Sequence, residues 1–177
     1  MGGAIAALNA VDIVFNGLNK LSVTPPKSCP VTVFAFATPK VGDDGFKKVF
    51  TSMNNLYCLR ISNVPDLVPK YPIIGFEDVG SELVIDTAKS SYLKQPGHPG
   101  TWHNMEAYMH GVAGVQGILG GFKLEIDRDL SLINKFGDIL LDKYGVPGSW
   151  WTDQNTGMVQ RQDGTWELKD HEEDSDY

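Results

Sequence analysis

Two short apolar segments separated by a helical pattern constrain the fold of this chain more than any other feature. Residues 31–37 (VTVFAFA) and 56–61 (LYCLRI) are rich in β-branched and aromatic residues, as buried strands are. Between them, Asp43 and Asp44 can cap a helix over residues 45–53. A strand–helix–strand order predicts parallel strands joined by a crossover helix, which is the α/β class. The first strand is predicted to be buried on both faces, because it is almost continuously apolar.

The remaining patterns predict further helices and strands. Residues 2–16 carry apolar side chains at three- and four-residue steps and almost no charge, which predicts a buried helix that stops at Asn16-Gly17. The other predicted elements are strands at 82–85 and 122–126, helices at 103–114 and 131–144, and a hairpin near Trp150, Trp151 and Trp166.

The charge of the chain is concentrated near its end. The 177 residues carry a net charge of −7, and residues 162–177 hold seven acidic residues against one lysine. We therefore divide the chain into a domain of residues 1–161 and an acidic tail of residues 162–177. The domain is nearly neutral and has no basic patch, which argues against a nucleic-acid partner. No apolar run approaches the roughly 20 residues that span a bilayer, so no transmembrane segment is predicted.

The two cysteines, Cys29 and Cys58, lack the spacing of a zinc site or of a dithiol redox motif. The sequence favours two reduced thiols in a reducing compartment. A single disulfide between them is the alternative.

Three positions combine into a hydrolase-like pattern. The opening Met1-Gly2-Gly3-Ala4 starts a helix with small residues, as the segment after the serine of a G-x-S-x-G elbow does. Asp66 follows the second predicted strand, where a carboxylate can orient a histidine, and His103 stands at a loop-to-helix junction suited to a general base. The order elbow, Asp66, His103 is that of α/β-hydrolases. Taken singly, Asp66 is more simply a turn-capping residue and His103 a solvent-exposed helix start.

Two other constellations compete with this interpretation. His103, Glu106 and His110 fall at helical spacing, so one helix face could present two imidazoles and a carboxylate to a metal ion. No second element supplies further ligands and the H-E-x-x-H motif is absent, so no metal is predicted. Gly2-Gly3 could suggest a phosphate cradle, but the G-x-G-x-x-G pattern and the phosphate-loop lysine are missing.

Longer stretches carry a family resemblance. The segments GGAIAALNAVDIVFNGLNK, CPVTVFAFATPKVGDDGFKKVF, LRISNVPDLVPKYP and TWHNMEAYMHGVAG resemble the carboxyl-terminal part of plant class 3 lipases, in the subgroup of cytosolic phospholipases A1. The resemblance implies the carboxyl-terminal part of an α/β-hydrolase fold, incomplete here, with a mostly parallel sheet and flanking helices. It also implies a cytoplasmic serine esterase that hydrolyses the sn-1 acyl ester of phospholipids or other glycerolipids. Such an enzyme needs no cofactor and touches a membrane surface only transiently.

The resemblance also assigns roles to residues. It places the triad acid on Asp66 (NVPD) and the triad base on His103 (TWHN). The nucleophilic serine of the family's G-H-S-[LM]-G-G-A motif would stand immediately before Met1, whose backbone N–H would be an oxyanion donor. We therefore expect a chain truncated at the elbow that lacks the nucleophile and is inactive alone. The alternative is a non-catalytic module that binds lipids or another protein.

Overall fold

A parallel sheet of three strands organises the first part of the chain. The structure, a computed structural model, describes residues 1–25, 27–116, 121–152 and 157–169 and falls into two units, residues 1–87 and 88–177. Its α-helices are α1 (Gly2–Phe15), α2 (Asp44–Ser52), α3 (Pro99–Trp102) and α4 (Met105–Val112). Its strands are β1 (Lys20–Leu21), β2 (Lys27–Ser28), β3 (Val31–Phe36), β4 (Leu56–Asn63), β5 (Ser81–Ile85), β6 (Gly114–Gln116), β7 (Phe122–Leu124), β8 (Met158–Gln160) and β9 (Trp166–Leu168).

The central sheet has the strand order β3-β4-β5, and both of its strand pairs are parallel. Helix α2 connects β3 to β4, as the strand–helix–strand pattern predicts, so the predicted α/β class is confirmed. The predicted cap of α2 is also present: Oδ1 of Asp43 accepts a hydrogen bond from the backbone N of Phe46 at 2.9 Å. This bond satisfies one of the amides that a helix start leaves unpaired.

Among the described residues only one face of β3 is covered, so the prediction that both faces are buried is wrong. Val33 and Ala35 point into a core that contains residues of α1 and α2, whereas Phe34 on the opposite face is 66% exposed. Tyr57 of β4 lies on the same uncovered face and is also exposed. Both helices pack on one side of the sheet, and an apolar run does not encode which side a neighbouring helix chooses.

Helix α1 has the predicted extent but is less buried than predicted. Its chain reverses at Gly17, where a φ of 66° places the residue in the left-handed region and Leu18 N donates to Ile13 O at 2.9 Å. Ala7 and Ala10 are buried against the sheet, because their small side chains allow close packing. The larger apolar residues Ile5, Leu8 and Phe15 are exposed. The lack of charge in this segment therefore led to a prediction of more burial than the structure shows.

The second unit is built from short elements around its own core of buried residues: Leu93, Ile133, Ile139 and Leu140. Helix α4 confirms the helix predicted after His103, and β7 confirms the strand predicted near residue 122. The helix predicted over residues 131–144 is wrong. The structure has two short 3₁₀ helices there, Leu130–Asn134 and Asp142–Tyr144. They are separated by bends at residues 135–137 and by Leu140, which forms an isolated bridge with Leu93.

Asn134 explains why a continuous helix does not form. Its fully buried side chain accepts hydrogen bonds from the backbone N of Ile139 at 2.8 Å and of Leu140 at 2.7 Å. Its Nδ2 also donates to Val146 O at 3.0 Å. These bonds hold the backbone around the side-chain amide of Asn134. They also occupy backbone N–H groups that a continuous helix would use for its own hydrogen bonds.

Strands β8 and β9 form an antiparallel hairpin, which confirms the hairpin predicted near the last tryptophan. The turn uses Gly164 with a φ of 84°, and Trp166 packs against Trp150 with ring centroids 5.0 Å apart. The sequence also predicts a turn at Asn155-Thr156-Gly157, of which residues 155 and 156 lie outside the described residues. Strand β9 falls within residues 162–169, the described part of the predicted tail, and the division at residue 161 stays a prediction.

No helix among the described residues is both long enough and apolar enough to cross a bilayer. Cys29 and Cys58 are both free thiols, so the alternative of a disulfide between them is not realised.

Candidate functional site

Asp66 lies just beyond the carboxyl end of β4, the middle strand of the sheet, where α/β folds place their sites. The residue is only 2% exposed. Its backbone N donates to Asn63 O at 2.9 Å, and its Oδ1 accepts from the backbone N of Val68 at 2.9 Å. The carboxylate therefore closes an Asx turn just before the 3₁₀ helix Val68–Lys70, in keeping with the simpler interpretation of Asp66 as a turn residue. This bond also fixes the orientation of the carboxylate.

The end of β4 is held rigidly by a buried amide–hydroxyl pair. Oδ1 of Asn63 accepts from the backbone N of Thr87 at 3.0 Å, and Nδ2 of Asn63 donates to Oγ1 of Thr87 at 2.8 Å. Both side chains are almost fully buried. Since Thr87 comes shortly after β5, these bonds tie the ends of two neighbouring strands together directly beside Asp66.

An open polar pocket of about 400 Å³ lies next to Asp66 within the first unit. In its lining the buried guanidinium of Arg60 forms ion pairs with Asp78 at 3.4 Å and with Glu82 at 3.2 Å. Glu82 also accepts a hydrogen bond from Oγ of Ser62 at 2.7 Å. Asp66 thus shares its surroundings with a paired group of charges and does not stand in a purely apolar site.

Sequence reasoning missed the Arg60 cluster. The signal was present: Arg60 interrupts the apolar alternation of β4, and its acidic partners follow within about 20 residues. A charged residue at an inward position of a strand predicts a buried ion pair, because an unpaired buried charge is costly.

His103 lies in the second unit, between α3 and α4. Its backbone N donates to Pro99 O at 3.0 Å, so it closes the short helix α3. The next residue, Asn104, caps α4 by accepting from the backbone N of Glu106 at 2.8 Å. His103 is exposed, which gives its imidazole the access to substrate that a general base requires. Its assignment as the triad base stays a prediction.

The residues of the alternative metal constellation have other partners. His103 precedes α4 and is not on its face, whereas Glu106 pairs with Arg128. His110 is fully buried and its Nε2 lies 2.8 Å from Oγ of Ser90. Burial first, and the charge of Arg128 second, lower the pKa of His110 from its ordinary 6.5 to about 4. Among the described residues, no group of three potential metal ligands comes together.

The start of α1 packs tightly against the loop that follows β3. Met1 is exposed, and its carbonyl accepts from the backbone N of Ala4 at 3.0 Å and of Ile5 at 3.2 Å. A Cβ at Gly3 would overlap the hydroxyl of Thr38, so only glycine fits there. Close packing therefore explains the glycine at position 3, as the elbow interpretation requires, whereas Gly2 has open space around it. The role of the Met1 backbone as an oxyanion donor stays a prediction.

Comparison with known proteins identifies the family of this chain. The sequence profile of the family described as Lipase (class 3) matches residues 1–76, a range that includes Asp66. Phospholipase A1-II 1 of Oryza sativa subsp. indica is 56% identical over 174 residues, which are 98% of this chain and 42% of that relative. The chain belongs to the class 3 lipase family.

Two further phospholipases A1 match the chain over nearly its whole length. Phospholipase A1-II 4 of Oryza sativa subsp. japonica is 54% identical over 172 residues, or 97% of this chain and 42% of the relative. Phospholipase A1-IIgamma of Arabidopsis thaliana is 49% identical over 176 residues, or 98% of this chain and 42% of the relative. The chain therefore spans about two fifths of the length of the curated relatives that it matches. Class 3 lipases have the α/β-hydrolase fold, and the parallel sheet β3-β4-β5 is consistent with part of it.

Proposed function

We propose that this chain supplies the acid and the base of a serine acylhydrolase that cleaves the sn-1 acyl ester of phospholipids or other glycerolipids. The observation that carries the proposal is the 56% identity to Phospholipase A1-II 1 across 98% of the chain. The position of Asp66, buried beyond the middle strand of the sheet, supports its role as the acid. The exposure of His103 between two helices supports its role as the base.

In this proposal the nucleophile is a serine immediately before residue 1, as the resemblance to class 3 lipases implies. His103 takes the hydroxyl proton as the serine attacks the ester carbonyl, and Asp66 holds the imidazole in the required tautomer. The backbone N–H of residue 1 stabilises the oxyanion when that residue follows the serine in a peptide bond. His103 then returns the proton to the leaving lysolipid alcohol, and water releases the fatty acid from the acyl-enzyme.

The proposed setting is the cytoplasm, with transient contact to a membrane surface. Free thiols at Cys29 and Cys58 support a reducing compartment. The proposed organisation keeps residues 1–161 as the lipase-like portion and residues 162–177 as an acidic tail. No cofactor, metal ion or nucleic acid takes part in the proposed reaction.

A chimera tests the proposal. In it, this chain replaces the 174 matching residues of rice Phospholipase A1-II 1, which retains the rest of that relative. We expect the chimera to release fatty acid from a phosphatidylcholine labelled at the sn-1 position and not from the sn-2 label. The 177-residue chain alone is the matched control and is expected to release none, because the proposed serine lies outside these residues. An inactive but folded chimera would contradict the proposal and favour the non-catalytic module.

A further inference from the structure

The segment of residues 64–76, which contains Asp66 and continues beyond it, presents an unusually apolar surface. We call this segment, with Lys40 beside it, the docking rim. Large apolar side chains of the rim are exposed: Val64, Leu67, Tyr71, Ile73, Ile74 and Phe76. Beside them lies an open depression of about 520 Å³ lined by apolar or aromatic residues, among them Pro39 and Tyr71. Contiguous apolar surface of this kind marks a site of interaction with another molecule.

The backbone of the docking rim is held in place by hydrogen bonds to the loop after β3. Tyr71 O accepts from the backbone N of Lys40 at 2.8 Å, and Gly42 O accepts from the backbone N of Glu77 at 2.9 Å. Between these two bonds the chain turns at Gly75, whose φ of 76° is in the left-handed region. The turn leaves Ile73 and Ile74 at its tip, 66% and 87% exposed.

The charges around the docking rim are those that suit a phospholipid surface. Lys70 is exposed at its centre and donates from Nζ to Val64 O at 3.0 Å, and Lys40 lies at its side. The one carboxylate of the rim, Asp66, is buried, and Glu77 just beyond it is paired with Lys47. The exposed part of the rim therefore carries apolar side chains and two lysines. The nearby carboxylates of Asp78 and Glu82, which line the same pocket as both lysines, are paired with Arg60.

The uncovered face of the sheet is also apolar, but it lacks the lysines of the docking rim. On the uncovered face of the sheet, Phe34, Tyr57 and Leu83 are exposed on regular strands without a lysine among the strand residues of that face. A flat and uncharged sheet face suits a packed polypeptide layer. A tip of aliphatic and aromatic residues flanked by lysines suits the boundary between acyl chains and anionic head groups.

We propose that the docking rim attaches this chain to a phospholipid bilayer, with Ile73 and Ile74 inserted at the acyl-chain boundary and Lys40 and Lys70 at the head groups. Docking there brings the surroundings of Asp66 to the lipid surface. The choice of a phospholipid surface as the partner of the rim rests on the proposed function. Binding to vesicles is measured without catalysis, so the two proposals can fail separately.

The test is flotation of the purified 177-residue chain with vesicles of phosphatidylcholine, with and without about one third phosphatidylserine. We expect binding to both and stronger binding to the anionic vesicles. The double variant Ile73→Ser/Ile74→Ser should lower the partition coefficient at least about ten-fold, because two inserted aliphatic side chains are lost. Its matched control is Ile126→Ser, an isoleucine 60% exposed in the second unit, which should bind as the unchanged chain does.

The variant Lys40→Gln/Lys70→Gln measures the electrostatic contribution to vesicle binding. It should remove most of the preference for phosphatidylserine and leave binding to phosphatidylcholine nearly unchanged. Circular dichroism of each variant checks that the fold is kept, as expected for positions that are exposed or, at Lys40, half-buried. The proposal is overturned if the unchanged chain floats with neither vesicle, or if the isoleucine variant floats as well as the unchanged chain. It is also overturned if the isoleucines instead hold two copies together, shown by a lipid-free dimer that the variant dissociates.

Discussion

Lowering the pH from 7 to 5 tests the environment that α4 gives to His110. The imidazole is fully buried beside Ser90, and the rings of Tyr92 and Phe122 lie 5.5 Å and 4.7 Å from it, centroid to centroid. The charge of Arg128, which pairs with Glu106, further disfavours protonation of the imidazole. The folded chain therefore holds a neutral imidazole at pH values where the unfolded chain protonates it.

The sign and size of the effect follow from the two pKa values. The pKa of His110 falls from 6.5 to about 4 on folding, so the unfolded state binds more protons between these values. Stability is therefore lost as the pH falls through this window. One pKa unit corresponds to about 1.4 kcal/mol, which gives a full loss of about 3 kcal/mol below pH 4. Between pH 7 and pH 5 the expected loss is about 2 kcal/mol.

Urea unfolding at the two pH values measures this loss. Tryptophan fluorescence reports on the correct part of the molecule, because all four tryptophans lie in the second unit with His110. The variant His110→Gln should lose about 2 kcal/mol less than the unchanged chain between pH 7 and pH 5. His98→Gln, at an exposed position before α3, is the matched control and should keep the pH dependence of the unchanged chain.

Equal pH dependence of the unchanged chain and of His110→Gln would refute this reasoning. If the variant does not fold, an NMR titration of the His110 imidazole in the unchanged chain decides the question directly. A midpoint near 4 is expected, and a midpoint near 6.5 would show that the side chain is not desolvated as the structure has it.

Three further predictions concern packing, buried hydrogen bonds and thiols. Gly3→Ala should destabilise the first unit by about 1–3 kcal/mol in thermal unfolding followed by circular dichroism, because its Cβ would overlap a buried hydroxyl. Gly2→Ala, with open space at its Cβ, should cost nothing. Asn134→Ala should cost about 2–4 kcal/mol in urea unfolding, because it removes three hydrogen bonds in a buried site. With a thiol reagent, Cys29 should react in the folded chain and Cys58 only on unfolding, since burial raises the pKa of the Cys58 thiol; equal reaction rates would contradict the burial.

The sheet could be predicted from the sequence because its signals are local. Strands β3 and β4 are short apolar runs bounded by turn residues, and Asp43 marks the start of the helix between them. The side of the sheet on which α1 and α2 pack depends on the chain path in three dimensions. For that reason the exposure of Phe34 was not foreseen.

The wrong prediction of a helix over residues 131–144 also has a three-dimensional cause. Its apolar spacing fits a helix, yet the side chain of Asn134 collects backbone hydrogen bonds from residues five and six positions away. Hydrogen bonds from a buried side chain to the backbone can override the helix propensity of a segment. A single asparagine in the sequence does not indicate that such bonds form.

The candidate site was foreseen in part. The order of Asp66 and His103 along the chain, together with the resemblance to class 3 lipases, indicated both residues. The sequence also indicated that Asp66 follows a strand. It did not reveal the Asn63–Thr87 pair that fixes the end of β4, because that pair joins residues 24 positions apart.

The most direct test of the central claim is whether Asp66 and His103 act as one unit on the serine of the chimera with rice Phospholipase A1-II 1. The value of kcat is measured for His103→Gln, for Asp66→Asn and for the double variant, each checked for its fold by circular dichroism. Each single variant should lower kcat by at least about 10³-fold. The double variant should lose little more than His103→Gln alone, because Asp66 acts through the histidine. Single variants that keep full activity, or losses that multiply in the double variant, would contradict the account.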